Sequence, residues 1–253
     1  MEKRSFIALD RPLLTVLIDE KTPKSVLETV KKSKEMGAEA FCLMMSSMPR
    51  ASRTRETLQE IFGEMGDCPA YVTNYLWNEN QDMSYDKCME EGLLALECGG
   101  AMLDVPGDCF MKSTDEITYF APAIEKQKKL IKTIQQMGKL ALMSSHTKRF
   151  LKWEEVLKIA REHEMRGADV TKIVTNADTR EELFENYKIS LMLKEKIDIP
   201  NLFLCNGKEC RNHRMISPYI GSCMSLCLLK KEEGKSQPLL KEVKEFLSFM
   251  KKE

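Results

Sequence analysis

Eight times along the chain a short run of apolar residues gives way to a polar segment with helical periodicity. No other feature of the sequence constrains the fold as much. The apolar runs fall at residues 13–18, 40–45, 70–76, 101–105, 139–145, 170–174, 201–205 and 222–228, and they read as strands covered on both faces. Local signals frame the helices between them. Thr22-Pro23 supplies an N-cap and first-turn proline for a helix ended by Gly37, and Ser113 with Glu116 fits a capping box opening a helix to Met137. Thr179 with Glu182 forms a second box, for a helix expected to carry Phe184, Tyr187 and Leu191 on its apolar face. Trp153, Val156, Leu157 and Ala160 mark the buried face of the helix after the fifth strand, and Leu239, Val243, Phe246, Leu247 and Met250 that of the last. In 253 residues this alternation predicts one α/β domain over 1–253, a closed (β/α)8 TIM barrel. An open doubly wound sheet is the alternative, but no G-x-G-x-x-G follows the first run, so a dinucleotide site has no support.

Charge narrows the partners. Lys+Arg and Asp+Glu both total 39, so no net field draws the chain to nucleic acid or to an anionic membrane. The N-terminus is charged at Glu2, Lys3 and Arg4, and the first apolar run stops at Asp19, too soon for a signal or a membrane span; a cytoplasmic protein is expected. Nine cysteines, an odd number in a chain without a secretion signal, are expected to stay as thiols, with Cys42, Cys98, Cys205, Cys223 and Cys227 serving as small core groups.

Within the sixth strand one residue stands out. Gly167-Ala168-Asp169-Val170-Thr171-Lys172-Ile173-Val174-Thr175 seats a lysine among β-branched residues, where loss of water favours the neutral, nucleophilic amine. Such amines attack ketones to form Schiff bases. The plainer reading is a lysine that snorkels to solvent. Active sites of barrels lie at the C-terminal strand tips. Ser144-Ser145-His146 ends the preceding strand and places an imidazole beside Lys172 to move protons, unless it only caps the next helix. Of the other two histidines, His163 falls late in an amphipathic helix and is expected at the surface. The stretch from Cys205 to Arg214 reads as a cation-rich loop suited to an anionic group, or to solvent. Cys205, Cys210 and His213 invite a zinc site, but a fourth ligand at suitable spacing is missing.

The segments Met143-Ser144-Ser145-His146, Gly167 through Ile173, and Gly207-Lys208-Glu209 through Arg214, with Gly221-Ser222 beyond, resemble the type I 3-dehydroquinate dehydratases in order and spacing. The resemblance covers most of the chain and is strongest over residues 140–222. It implies a (β/α)8 barrel, usually a homodimer, that uses no metal or cofactor and dehydrates a cyclic 3-keto acid through a Schiff base in the shikimate pathway. It assigns Lys172 as the Schiff-base lysine, His146 as acid and base, and Arg214 as the holder of the substrate carboxylate. Gln237, in Lys235-Ser236-Gln237-Pro238, falls near the glutamine of the family's closing loop, and Ser222 falls in the matching stretch beyond Arg214.

The chain also departs from the family. Pro106, in Asp104-Val105-Pro106, stands where the family has the glutamate paired with the histidine. Cys42, Met44 and Ser46 stand in place of its Glu-x-Arg-x-Asp, and Tyr75 in place of its strand-three arginine. The expectation is therefore a Schiff-base lyase acting on an anionic carbonyl compound in an altered pocket that includes Tyr75, Met44 and Ser222, with His146 deprived of its carboxylate partner. The alternatives are a class I aldolase, since Gly-Ala-Asp-x-x-Lys also resembles the lysine strand of deoxyribose-phosphate aldolases, and a barrel that has lost catalysis.

Overall fold

The computed structural model describes residues 5–7 and 11–250, the side chain of Met250 excepted; Glu2, Lys3 and Arg4 lie outside it. Eight parallel strands, each followed by a helix, run β1 (Leu13–Ile18), α1 (Pro23–Glu35), β2 (Ala40–Met44), α2 (Arg55–Met65), β3 (Ala70–Thr73), α3 (Tyr85–Glu97), β4 (Met102–Pro106) and α4 (Ala121–Gln136). The second half is β5 (Leu140–His146), α5 (Trp153–Met165), β6 (Val170–Asn176), α6 (Arg180–Lys196), β7 (Asn201–Asn206), α7 (Cys210–Ile220), β8 (Met224–Cys227) and α8 (Leu240–Met250). The sheet order β7-β6-β5-β4-β3-β2-β1-β8 is that of a nearly closed barrel, as the alternation predicts. Among the described residues the seam between β7 and β8 is stitched only at its base, where Asn201 bridges Ser222 and Cys223 N–H donates to the Asn201 carbonyl at 2.8 Å.

Strand periodicity divides the apolar residues into two layers. One set, including Leu13, Ala40, Tyr71, Met102, Leu142, Val170, Leu202 and Met224, points inward and fills the lower barrel. The alternate set, with Val16, Phe41, Val72, Leu103 and Met143, packs outward against the helices. Thr22 and Thr179 cap α1 and α6 as their sequences predict. All nine cysteines are free. No helix among the described residues is long and apolar enough to cross a membrane.

Three local expectations need correction. Ser113 and Glu116 do not open α4, which starts at Ala121. Instead Ser113 Oγ accepts from Ile117 N and donates to its carbonyl, both at 2.9 Å, closing a turn inside a long β4–α4 loop. On α6 the buried face is not the one expected: Phe184 is 68% and Leu191 52% exposed, while the buried face carries Leu183, Asn186, Ile189, Ser190 and Leu193. Finally, His163 is wholly buried at the end of α5.

Candidate active site

A cavity of about 350 Å³ opens at the C-terminal mouth of the barrel. Lys172, His146, Arg214, Gln237, Tyr75 and Met44 all line it. Ser222 does not. It lies before β8 at the opposite end, where its Oγ accepts from Phe203 N at 3.3 Å, so its part is to stitch the barrel's base. The matching stretch falls just ahead of the strand's start rather than at its tip.

Lys172 occupies an inward position on β6, in register with Ser144 on β5 and Leu202 on β7. It is 6% exposed. Its Nζ lies 2.7 Å from Tyr75 Oη, 3.1 Å from Tyr71 Oη and 3.3 Å from Asp104 Oδ2. Both phenols donate to Asp104, and Ser144 Oγ donates to its other oxygen at 2.5 Å. Burial, reinforced by the Asp104 charge, pushes both phenol pKa values well up, so both hydroxyls keep their protons and act as donors. The fully buried carboxylate thus has four partners, as an interior charge requires. The lysine does not snorkel out of the barrel; it is held in an ion pair facing the cavity. Asp104 was not among the expected site residues, although its place inside an apolar strand, alternating with Met102 and Pro106, was a usable signal.

His146 keeps a carboxylate partner, contrary to the expectation from Pro106. Glu116 Oε2 accepts from His146 Nδ1 at 2.5 Å and from its backbone N at 2.6 Å. Because an ionised carboxylate only accepts, Nδ1 carries the proton, and Nε2 is the nitrogen left for a ligand. Tyr75 and Trp77 set their rings edge-on to the imidazole, at 5.4 and 5.8 Å between centroids. Glu116 comes from the β4–α4 loop at a left-handed φ of 50°, a conformation that needs outside support. That support is extensive. Buried Arg166 donates to the carbonyls of Gly107 and Thr118 at 3.0 and 2.7 Å, and Gln127 donates to those of Gly107 and Cys109.

A further chain runs behind the site. Ser145 Oγ donates to the Glu116 carbonyl at 2.7 Å, so it must accept from His163 Nε2 at 3.1 Å; His163 Nδ1 then accepts from Thr171 Oγ1 at 2.8 Å. Ser145 and Thr171 adjoin His146 and Lys172 in sequence, so this buried ring ties together the outer faces of the two strands that bear them. Burial, with Arg166 adding to it, lowers the His163 pKa to about 3 and keeps the ring neutral.

On the far wall the segment expected as a loop becomes helix from Cys210, which buries Arg214. Its Nε donates to the Cys205 carbonyl at 2.9 Å and its Nη2 to Asn206 Oδ1 at 2.8 Å. Among the described residues no carboxylate pairs with it, and burial lowers its pKa. Gln237 presents a buried Oε1 without a partner. Lys235, on the same strap, is ion-paired with Asp19 at the end of β1. His213 faces away, stacked on Tyr187 at 5.5 Å and hydrogen-bonded to Ser190. Among the described residues no cluster of three His, Cys, Asp or Glu side chains is placed to hold a metal. Cys42 lies inside the wall, and burial pushes its thiol up to about 12, where it stays protonated.

Fold and site together define a (β/α)8 barrel with a buried amine and a carboxylate-oriented imidazole at the C-terminal ends of its strands. The sequence matches the type I 3-dehydroquinase family over residues 14–253, and the chain belongs to that family. No curated protein matches at a significant level. Among solved structures, the Clostridium difficile type I 3-dehydroquinate dehydratase with covalently modified comenic acid superposes with a TM-score of 0.81 at 16% identity, covering 96% of this chain and 94% of that one. The Enterococcus faecalis 3-dehydroquinate dehydratase gives 0.77 at 15% identity, covering 96% and 95%. QR15, an aldolase, shares the fold more loosely, at 0.57 and 15% identity over 94% and 96%.

Proposed function

We propose that the protein is a Schiff-base lyase that eliminates water, or a related leaving group, from a small anionic ketone. The observation that carries this reading is the buried Lys172 amine in one cavity with an imidazole oriented by Glu116 and a buried guanidinium that lacks a carboxylate. A buried cation without a counter-ion is costly, so Arg214 calls for an anion from the ligand, and Gln237 offers a second contact to it.

In the reaction, Lys172 first gives up a proton, for which Asp104 is the nearest carboxylate. The free amine adds to the ketone and, with loss of the carbonyl oxygen as water, forms an iminium. His146 Nε2 then removes the proton on the neighbouring carbon, and the released electron pair forms an enamine. As that pair returns to form the new C=C bond, the β C–O bond breaks and the oxygen takes the proton back from His146. Water finally hydrolyses the conjugated iminium and frees Lys172. The buried ion pair with Asp104 favours the cationic iminium in the same place.

Borohydride, which reduces an iminium to a stable amine, tests this directly. Incubation with keto acids is expected to add the mass of the reduced ligand to Lys172, and elimination to show as the absorbance of an α,β-unsaturated ketone. Absence of any Lys172 adduct across cyclic and open-chain keto acids would refute the reading. Cleavage into two carbonyl fragments would replace elimination by aldol chemistry on the same lysine.

A further inference from the structure

We infer that the substrate is a keto monocarboxylate with a hydrocarbon body whose one further polar group is the leaving group, not a polyhydroxylated ring. This rests on the lyase reading above and concerns what the walls select. Four polar functions in the cavity suit the two ends of a keto acid: the Lys172 amine for the carbonyl, His146 Nε2 for the proton and leaving group, and Arg214 with Gln237 for the carboxylate. Of the other polar side chains, Trp77 and Asn206 are exposed at the rim, where Asn206 Oδ1 accepts from Arg214, and the rest are engaged by the protein. Asp19 is taken by Ser47 and Lys235, Asn78 Nδ2 donates to Ser47 Oγ at 3.1 Å, Thr73 Oγ1 donates to the Leu43 carbonyl, and Tyr75 is held between Asp104 and Lys172.

Much of the remaining wall is apolar. Leu17, Met44, Val174, Leu204 and Leu226 face the space, together with Cys42, whose protonated thiol is a weak partner at best. A hydroxyl pressed against such a wall loses its water and gains no partner, a loss worth roughly tenfold or more in affinity for each group. Carbon against the same wall gains contact instead. The pocket of about 350 Å³ accepts a substituted six-membered ring or an open chain of similar bulk.

The test compares two ligands with one skeleton, 3-oxocyclohexane-1-carboxylate and 3-dehydroquinate, by the concentration of each that half-saturates borohydride-trapped adduct on Lys172 of the whole protein. The hydroxyl-free acid is expected to half-saturate at least tenfold lower. Equal or better capture of 3-dehydroquinate overturns the inference and leaves the lyase reading standing. Adduct from neither, nor from any other keto acid, overturns both. Met44→Arg, at the half-buried rim of the apolar wall, supplies the second arm. It returns a donor to the position where the family resemblance expects one and should narrow the preference at least tenfold. An unchanged ratio would show that the wall does not select and would likewise overturn the inference.

Discussion

The buried ring of His163 makes a prediction whose size follows from the structure. Its pKa is about 3 in the folded chain against 6.5 for a free imidazole. The unfolded chain therefore takes up a proton, as pH falls through 6.5, that the folded chain refuses. Stability from this group is fully present above 6.5 and is lost as the pH drops toward 3. Between pH 8 and pH 5 the loss is RT ln(1 + 10^1.5), or about 2 kcal/mol, approaching 1.4 kcal/mol per further pH unit. His163→Gln removes the titration but keeps a donor and an acceptor near Ser145 and Thr171. At pH 8 the variant should be about 1–3 kcal/mol less stable than the parent because packing and hydrogen-bond geometry suffer. By pH 5 the two should differ by about 2 kcal/mol less, because only the parent has lost the imidazole contribution. Urea melts at half-unit steps from pH 8 to 5, with the slope m held common, measure the gap. Parallel curves would refute the assignment of a neutral, buried ring at this position.

Lys172→Ala should abolish borohydride-dependent mass gain while leaving the far-ultraviolet dichroism unchanged. Glu116→Gln should retain that adduct but slow elimination by at least about tenfold, since it leaves the amine and unseats the imidazole; equal loss of both would contradict the division of labour. Asp104→Asn breaks a buried pair shared by two phenols and a serine, so it should cost about 3–5 kcal/mol in denaturant melts, and a change below about 1 kcal/mol would deny the pairing. Arg214→Met should raise the half-saturating concentration for keto carboxylates by about thirtyfold or more and that for uncharged ketones little, which a matched acid and methyl ketone can check.

The barrel was legible because its evidence is periodic. Strands covered on both faces leave short apolar runs, and Thr22, Thr179 and the amphipathic helices punctuate them in a way few other folds allow. Lys172 and His146 were legible because both lie on neighbouring strands, where parity and register convert sequence position into direction. Glu116 was not. Its spacing from Ser113 mimics a helix start, and only the β4–α4 loop held by Arg166 and Gln127 brings its carboxylate to the imidazole, a tertiary arrangement with no local signature. His163 was misplaced for a related reason. A polar ring at the end of an amphipathic helix looks solvent-bound until Ser145 and Thr171 appear as its partners. On α6 the pattern itself misled: Asn186 and Ser190 are buried because the Asn176 carbonyl and His213 stand opposite as their hydrogen-bond partners, and Phe184 and Leu191 face outward.

The incomplete closure of the sheet falls on one side of the mouth. Asp104, Ser144, His146 and Lys172 belong to β4, β5 and β6, whose ladders are unbroken, whereas Arg214 and Gln237 border the gap between β7 and β8 that is fastened only at its foot. Widening of that gap would shift the grip on a ligand's anionic end without disturbing the spacing among the groups that handle protons and form the covalent bond. On the proposed reading, recognition and reactivity would thus rest on mechanically separate parts of one barrel, and the first could drift toward new ligands while the second stays as built.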